Sequence, residues 1–325
     1  MTKALLQQDC DICAVVRNEK KLAELLGNHN VDRVKILKGD LLVDADIEKL
    51  KNQLEKSVES LDVVVQIIGG GPLSSNRKFA PEIFDLNYRT TSNLIQLLEK
   101  AGKLGSLSLF VYLSSLAAMG MPGSTNTRIR YDETTACNPV LAYERAKLAT
   151  EAFLKDLTTT HNFKTVILRL PQIYGGHDDA FMGMVGLIRR GVFPIVRGRM
   201  ATLPLIHVQD TVNAILAVIQ NIDRIEGKYD VNLICEGSYS YHRLVDLVRN
   251  KFGQGGALNL PYSFMYAAIL MLEGAFKILG KPEPLNRHRL ISLTKDRMVD
   301  CSKFINSFEF KFEQNVERFL ASQST

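Results

Sequence analysis

Short apolar runs rich in β-branched residues alternate with helical patterns along the first two-thirds of the chain, and few folds accept that order. The alternation reads as βαβ units, with a parallel sheet covered on both faces. Residues 12–16 (Ile12-Cys13-Ala14-Val15-Val16) read as a strand, with a helix over 20–26. A second strand over 34–37 ends at Gly39-Asp40, and a helix follows over 45–59. The run Asp62-Val63-Val64-Val65-Gln66-Ile67-Ile68 is the clearest buried strand, and it stops at Gly69-Gly70-Gly71-Pro72. Asn87 falls in the next helix, which runs to Leu98. Then come a strand over 108–114, a helix over 143–157 and a strand over 165–170. Beyond this the pattern loosens: helices over 181–191 and 211–219, a strand over 229–233, a helix over 241–252 and an apolar helical stretch over 260–279. No repeat, low-complexity tract or linker cuts the chain. The expected architecture is therefore α/β, a doubly wound, Rossmann-like parallel sheet. A dinucleotide-binding unit takes residues 1–175 and part of 201–233. A smaller, interleaved C-terminal substrate unit takes mainly 176–325.

The 325 residues suffice for about two domains at roughly 150 residues each. Hydrophobic residues make up 46% and charged residues 23%, which excludes disordered, collagen-like and disulfide-scaffold classes. Forty basic side chains against 35 acidic ones leave +5, enough to suit an anionic small ligand and too weak to argue for nucleic acid. Five cysteines and an N-terminus without signal-peptide shape read as reduced thiols in a cytoplasmic protein. Cys10 and Cys13 have redox spacing, but the second pair that a zinc site needs is absent, so no metal is expected. No stretch reaches the roughly 18 uncharged apolar residues of a membrane span.

Tyr143-Glu144-Arg145-Ala146-Lys147 carries the strongest chemical signal. Tyr143 and Lys147 are one helical turn apart and share a face. A nearby ammonium favours the phenolate and is expected to lower the tyrosine pKa from about 10 toward neutrality, which suits proton exchange with an alcohol or ketone. Alone, such a pair is ordinary on helix surfaces. Upstream, Phe110-Val111-Tyr112-Leu113-Ser114-Ser115 is an apolar strand ending in hydroxyls. Doubly wound sheets place ligands at the carboxyl ends of their strands, and a serine there can donate to a substrate oxygen.

These segments resemble the extended short-chain dehydrogenases/reductases, the group that includes NAD-dependent epimerases and dehydratases. Residues 110–120 look like that family's strand-and-serine segment. Asp132-Glu133-Thr134-Thr135, Asn138-Pro139 and Tyr143-x-x-x-Lys147 resemble its run into the active-site helix. Leu168-Arg169-Leu170-Pro171-Gln172-Ile173-Tyr174-Gly175 and Pro204-Leu205-Ile206-His207-Val208-Gln209-Asp210 match two later segments, and Gly39-Asp40-Leu41 and Asn87 match two more positions. The resemblance implies Tyr143 as general acid/base and Lys147 as the group that tunes it and binds the cofactor ribose. It implies Ser115, preferred to Ser114 by register from Gly120, as the hydroxyl that polarises the substrate carbonyl. Asn87 is implied as holder of its helix and of a proton-relay water, or as purely structural. Asp40 and Leu41 would meet the adenine edge, Gly69 and Gly70 would let the chain pass close to the dinucleotide, and Pro171 and Ile173 would line the nicotinamide pocket. His207 and Asp210 are expected to be structural.

Cofactor preference is read after the strand at 12–16, where an acidic residue suits a ribose 2′-hydroxyl and an arginine suits a 2′-phosphate. Arg17-Asn18-Glu19-Lys20-Lys21 favours NADP, with NAD as the alternative. The family opens with a strand and a Gly-x-x-Gly-x-x-Gly turn that cradles pyrophosphate. This sequence shows neither. Residues 2–8 look like the tail of the helix after that turn, so roughly 20 residues are expected to be absent by the size of those elements. A different start site, a shortened isoform or a gap filled by something else would each account for this. The missing strand belongs at the centre of the sheet. Without it, its two neighbours are expected to stand unpaired across a gap, at about 1–3 kcal/mol for each buried unsatisfied group.

On the substrate side, Arg189, Arg190, Arg197 and Arg199 could clamp a diphosphate or form a solvated basic loop. The stretch over 261–279, with Phe264, Met271 and Ile278, could roof a hydrophobic pocket, rest on a membrane surface, or be ordinary core, the reading preferred here. The expected partner is a small molecule, with a hydrophobic one and a homodimer both left open. Three functions follow: an NADP(H)-dependent oxidoreductase acting on a carbonyl or alcohol, preferred; a nucleotide-sugar epimerase or dehydratase with recycled NAD; and a non-catalytic scaffold.

Overall fold

The computed structural model of the protein describes residues 1–27, 30, 32–70, 77–121, 128–176 and 180–323. Gly71 and Pro72, which close the glycine run of the third predicted strand, lie outside the described residues.

Strand β1 (Ile12–Val16) pairs in parallel with β2 (Val34–Lys38). Strand β3 (Val63–Gln66) pairs with β4 (Leu109–Ser115), β4 with β6 (Lys164–Leu170), and β6 with β10 (Tyr229–Leu233), all parallel, giving the order β10-β6-β4-β3. Alternate residues of this sheet feed two apolar layers. Phe110, Tyr112 and Ile167 face a layer holding Leu50, Leu97 and Leu154 from the helices Asp44–Ser57, Thr90–Lys100 and Ala142–Thr160. Leu109, Val111, Val166 and Leu168 face the other, with Ile215 of the helix Val208–Gln220 and with Phe304 and Phe308 from the C-terminal end of the chain. That period-two division produces the doubly wound sandwich.

Among the described residues no ladder joins β1 to β3. Cys13 and Val15 of β1 and Val64 of β3 pack on one apolar cluster, so the two ladders share a core but not a sheet. The consequence is visible in burial. Val63, Val64 and Val65 are only half-buried and Ile67 is 53% exposed, although their sequence reads as the most buried strand of the chain. By contrast β4 and β6 are almost wholly buried. Edge strands protect their amides poorly. Amide hydrogen exchange over 12–16 and 63–66 is expected to run faster than over 109–115 and 164–170, and equal protection would contradict the split sheet.

The second unit is built from short ladders. Strand β7 (Gln172–Tyr174) pairs with β9 (Thr202–His207), and β9 pairs with β11 (Gly237–Ser240). Strand β8 (Phe193–Val196) pairs with β12 (Ala257–Leu260), and β5 (Arg128–Tyr131) with β13 (Asp296–Val299). Ion pairs Arg128–Asp296 (2.9 Å) and Arg130–Asp300 (2.6 Å) lie along this last ladder, while Ile129 and Tyr131 point inward. Tyr174, Phe181, Leu205, Leu244 and Phe319 form the unit's core.

The apolar stretch 261–279 is not ordinary core. It forms the helix Tyr262–Ile278, in which only Met265 and Ile269 are buried. One stripe meets β8 and the helix Arg287–Ser292 through Val196 and Leu290; Leu272, Glu273 and Phe276 are half-buried, and the face carrying Phe264, Met271 and Ile278 is left open.

Candidate active site

The helix Ala142–Thr160 starts where Glu144 reaches back to the backbone amides of Val140 and Leu141, at 2.7 and 3.0 Å. This fixes the first turn, and with it Tyr143, beside the end of β4. There the paired serines separate. Ser114 turns inward and donates to Glu151 at 2.5 Å. Ser115 points to the site, accepts the Ala117 amide at 3.1 Å and shares a hydrogen bond with the Tyr143 phenol. Strand alternation makes this division, and Ser115 is the serine on the Tyr143 side.

Lys147, one turn on, is buried. Its ammonium donates to the Leu113 carbonyl at 2.9 Å, lies 4.7 Å from the centre of the Tyr112 ring and 5.9 Å from that of Tyr143. Tyr143, Lys147 and Ser115 thus converge at the carboxyl end of β4.

Their electrostatics differ from the expectation drawn from the Tyr–Lys spacing. Burial pushes the Tyr143 phenol above its ordinary value, and the Ser115 hydrogen bond only partly opposes this. Burial also lowers Lys147 to about 8, with Glu151 holding it up. Desolvation penalises both charged forms and is the larger cause of each shift.

Asn87 sits in a single π-helical segment, Asp85–Arg89, between the helices Ala80–Phe84 and Thr90–Lys100. Such bulges often mark functional sites. Its side chain clamps Gly70 from both sides, accepting the amide at 2.9 Å and donating to the carbonyl at 2.8 Å, and donates to Ile83 as well. These contacts favour the structural reading over the water relay. Gly70 has φ 134°, which favours glycine. At Gly69 a Cβ would stand 2.8 Å from the Asn87 oxygen and 2.9 Å from the Lys147 ammonium. The missing side chain is therefore what lets Asn87, Lys147 and the loop meet.

The remaining predicted residues are spread along the same side of the sheet. Asp40 accepts the Leu42 amide at 2.9 Å, and its second oxygen lies 3.6 Å from Arg17. Leu41 is core, and its carbonyl is taken by Asn93, so its side chain offers nothing to a ligand. Pro171 is half-buried and Ile173 is 40% exposed. Behind them Tyr174 donates to Glu236 at 2.7 Å, and the same carboxylate accepts from Tyr239 and the His207 amide. Asp210 accepts the amides of Glu313 and Gln314, a structural role. Two of the four candidate diphosphate arginines make protein contacts of their own. Arg189 lies 4.4 Å over Phe252, and Arg197 donates to Asn259. Among the described residues no group of three or more His, Cys, Asp or Glu side chains could hold a metal.

Sequence reasoning missed the layer beneath the site. Glu151 and Arg169 form a buried ion pair, with Arg169 donating through two nitrogens at 2.6–3.2 Å and both side chains less than a tenth exposed. The signal was available: Glu151 lies four residues beyond Lys147 and eight beyond Tyr143, on the same helix face.

A doubly wound sheet with Tyr, Lys and Ser gathered at a strand's carboxyl end defines a dinucleotide-fold enzyme class. The sequence pattern of the NAD dependent epimerase/dehydratase family matches residues 1–233, and the chain belongs to that family. Its members are NAD(P)-dependent enzymes. The fold is shared with the UDP-Glc/GlcNAc 4-epimerase of Campylobacter jejuni (TM-score 0.73, 18% identity, covering 98% of this chain and 92% of that one). It is shared too with the UDP-glucose 4-epimerase of Bifidobacterium longum, solved with NAD+ and UDP (TM-score 0.70, 18% identity, 99% and 92%). A curated relative, sterol-4-alpha-carboxylate 3-dehydrogenase (decarboxylating) of Dictyostelium discoideum, is 21% identical over 171 residues, 52% of this chain. The chain spans about half the length of that relative, 51%.

Proposed function

We propose that the chain is an NAD-dependent epimerase or dehydratase acting on a nucleotide sugar, with Tyr143 as the acid/base. The carrying observation is the convergence of Tyr143, Lys147 and Ser115 on one strand end. Family membership and the UDP-sugar enzymes among its structural neighbours favour this over the NADP(H)-dependent carbonyl reductase that the sequence alone suggested.

The residues present fit the ribose and nicotinamide end of the cofactor. Lys147 presents a buried ammonium next to a glycine whose missing side chain keeps the approach open. NAD supplies a reversible hydride acceptor. Tyr143 moves a proton to and from the substrate hydroxyl, Ser115 donates to the same oxygen, and Lys147 stabilises the phenolate. NAD is preferred to NADP because Arg17, the cation expected to meet a 2′-phosphate, already faces Asp40, and that carboxylate repels a second anion.

The test is product analysis with UDP-glucose and NAD. Epimer or dehydrated sugar without net NADH accumulation is expected. Stoichiometric NADH with an oxidised product would instead support the dehydrogenase reading, which the curated sterol relative favours. NADH should also bind more tightly than NADPH in a fluorescence titration, and the reverse order would restore the NADP reading.

A further inference from the structure

We infer that the helix Tyr262–Ile278 docks the protein on the surface of a lipid bilayer carrying anionic phospholipid. The inference is independent of the catalytic reading. This helix is amphipathic in the wrong sense for a protein surface. Its buried stripe is Met265 and Ile269, and its solvent face carries Phe264 (60% exposed), Met271 (72%) and Ile278 (88%), which succeed one another at intervals of seven residues. Between them on that face lie Ala267, Ala268, Gly274 and Ala275, with no charged side chain. The one acidic residue of the helix, Glu273, is 14% exposed and held by Arg287 at 2.9 Å. Leaving such a stripe in water is unfavourable, and contiguous apolar patches of this kind mark interaction sites.

Charge selects the occupant. Both ends of the stripe are basic. Arg197 and Arg199 lie in the turn that meets the start of the helix, where the Arg197 amide donates to Leu260 at 2.9 Å, and Met200 beside them is 75% exposed. Lys277 and Lys281 stand exposed at the other end, around Ile278 and Leu279. A second copy laid along this face, parallel or antiparallel, would bring a basic end against a basic end. A sheet of anionic headgroups meets both ends favourably, while the apolar face enters the acyl boundary. The helix has 17 residues, roughly 25 Å, and no helix among the described residues is long and apolar enough to cross a membrane. It would therefore lie in the plane of the interface.

Flotation of the full chain with phosphatidylcholine vesicles, with and without phosphatidylserine, tests this. The chain is expected to float with the phosphatidylserine vesicles and to be released by salt. Lys277→Gln with Lys281→Gln should weaken partition about thirtyfold, or about fivefold per residue. Met271→Asp with Ile278→Asp should abolish it while leaving the circular dichroism and melting curve unchanged, since both side chains are already in solvent. Failure to float, equal flotation of the double aspartate variant, or self-association of the chain that this variant abolishes without any vesicle binding would each overturn the inference.

Discussion

Tyr143→Phe is expected to lower kcat by about 10²–10⁴-fold, the range for loss of a positioned acid/base, with folding and NADH affinity nearly unchanged. The phenol shares one hydrogen bond with Ser115 and is half-buried, so removing the oxygen changes stability by about 1 kcal/mol at most. Turnover that survives would remove Tyr143 from the chemistry. The pH profile adds a second readout. Lys147 titrates at about 8, so its ammonium disappears above that pH and activity should fall along an alkaline limb there. Glu151 holds the proton on Lys147, so Glu151→Gln should move that limb to lower pH; a limb that stays put would separate Glu151 from the site.

Loss of one partner of the Glu151–Arg169 pair should have the largest effect on stability. Glu151→Ala leaves a buried guanidinium without its carboxylate and Ser114 without its acceptor. Breaking such a pair costs about 3–5 kcal/mol, a large part of a typical 5–15 kcal/mol. The double variant Glu151→Leu with Arg169→Met should recover most of the loss, because two apolar groups need no partner. A double variant as unstable as the single one would show that the cost lies in packing rather than charge. Lys147 obeys the opposite sign to a paired cation. Its folded value is lowered, so its charge costs stability below about 8, and that cost is relieved as pH rises toward the unfolded value near 10.4. Lys147→Met should therefore stabilise the fold at neutral pH, by a margin that shrinks in alkali.

The doubly wound sheet was legible because its strands are apolar and evenly spaced by helices; β1, β2, β4 and β6 fall within a residue or two of where periodicity puts them. The ladder of β5 with β13 escaped because Arg128-Ile129-Arg130-Tyr131 is half charged, although its strict alternation is a strand's. Tyr143, Lys147 and Ser115 were legible as residues. Their protonation was not, because spacing reports proximity while burial, a tertiary property, sets the direction of the shift. The helix Tyr262–Ile278 misled for a related reason. An apolar run states what a helix prefers to touch, and only the neighbours decide whether this chain supplies it.

The central claim is that this chain holds NAD against Tyr143 and Lys147. Titration of wild type and Lys147→Met with NADH, followed by nicotinamide fluorescence, tests it most directly. Saturable binding by the wild type, weakened about tenfold or more in the variant, is predicted from loss of a charge-assisted contact to the ribose. No saturable binding by the wild type, or identical binding by both proteins, would contradict it.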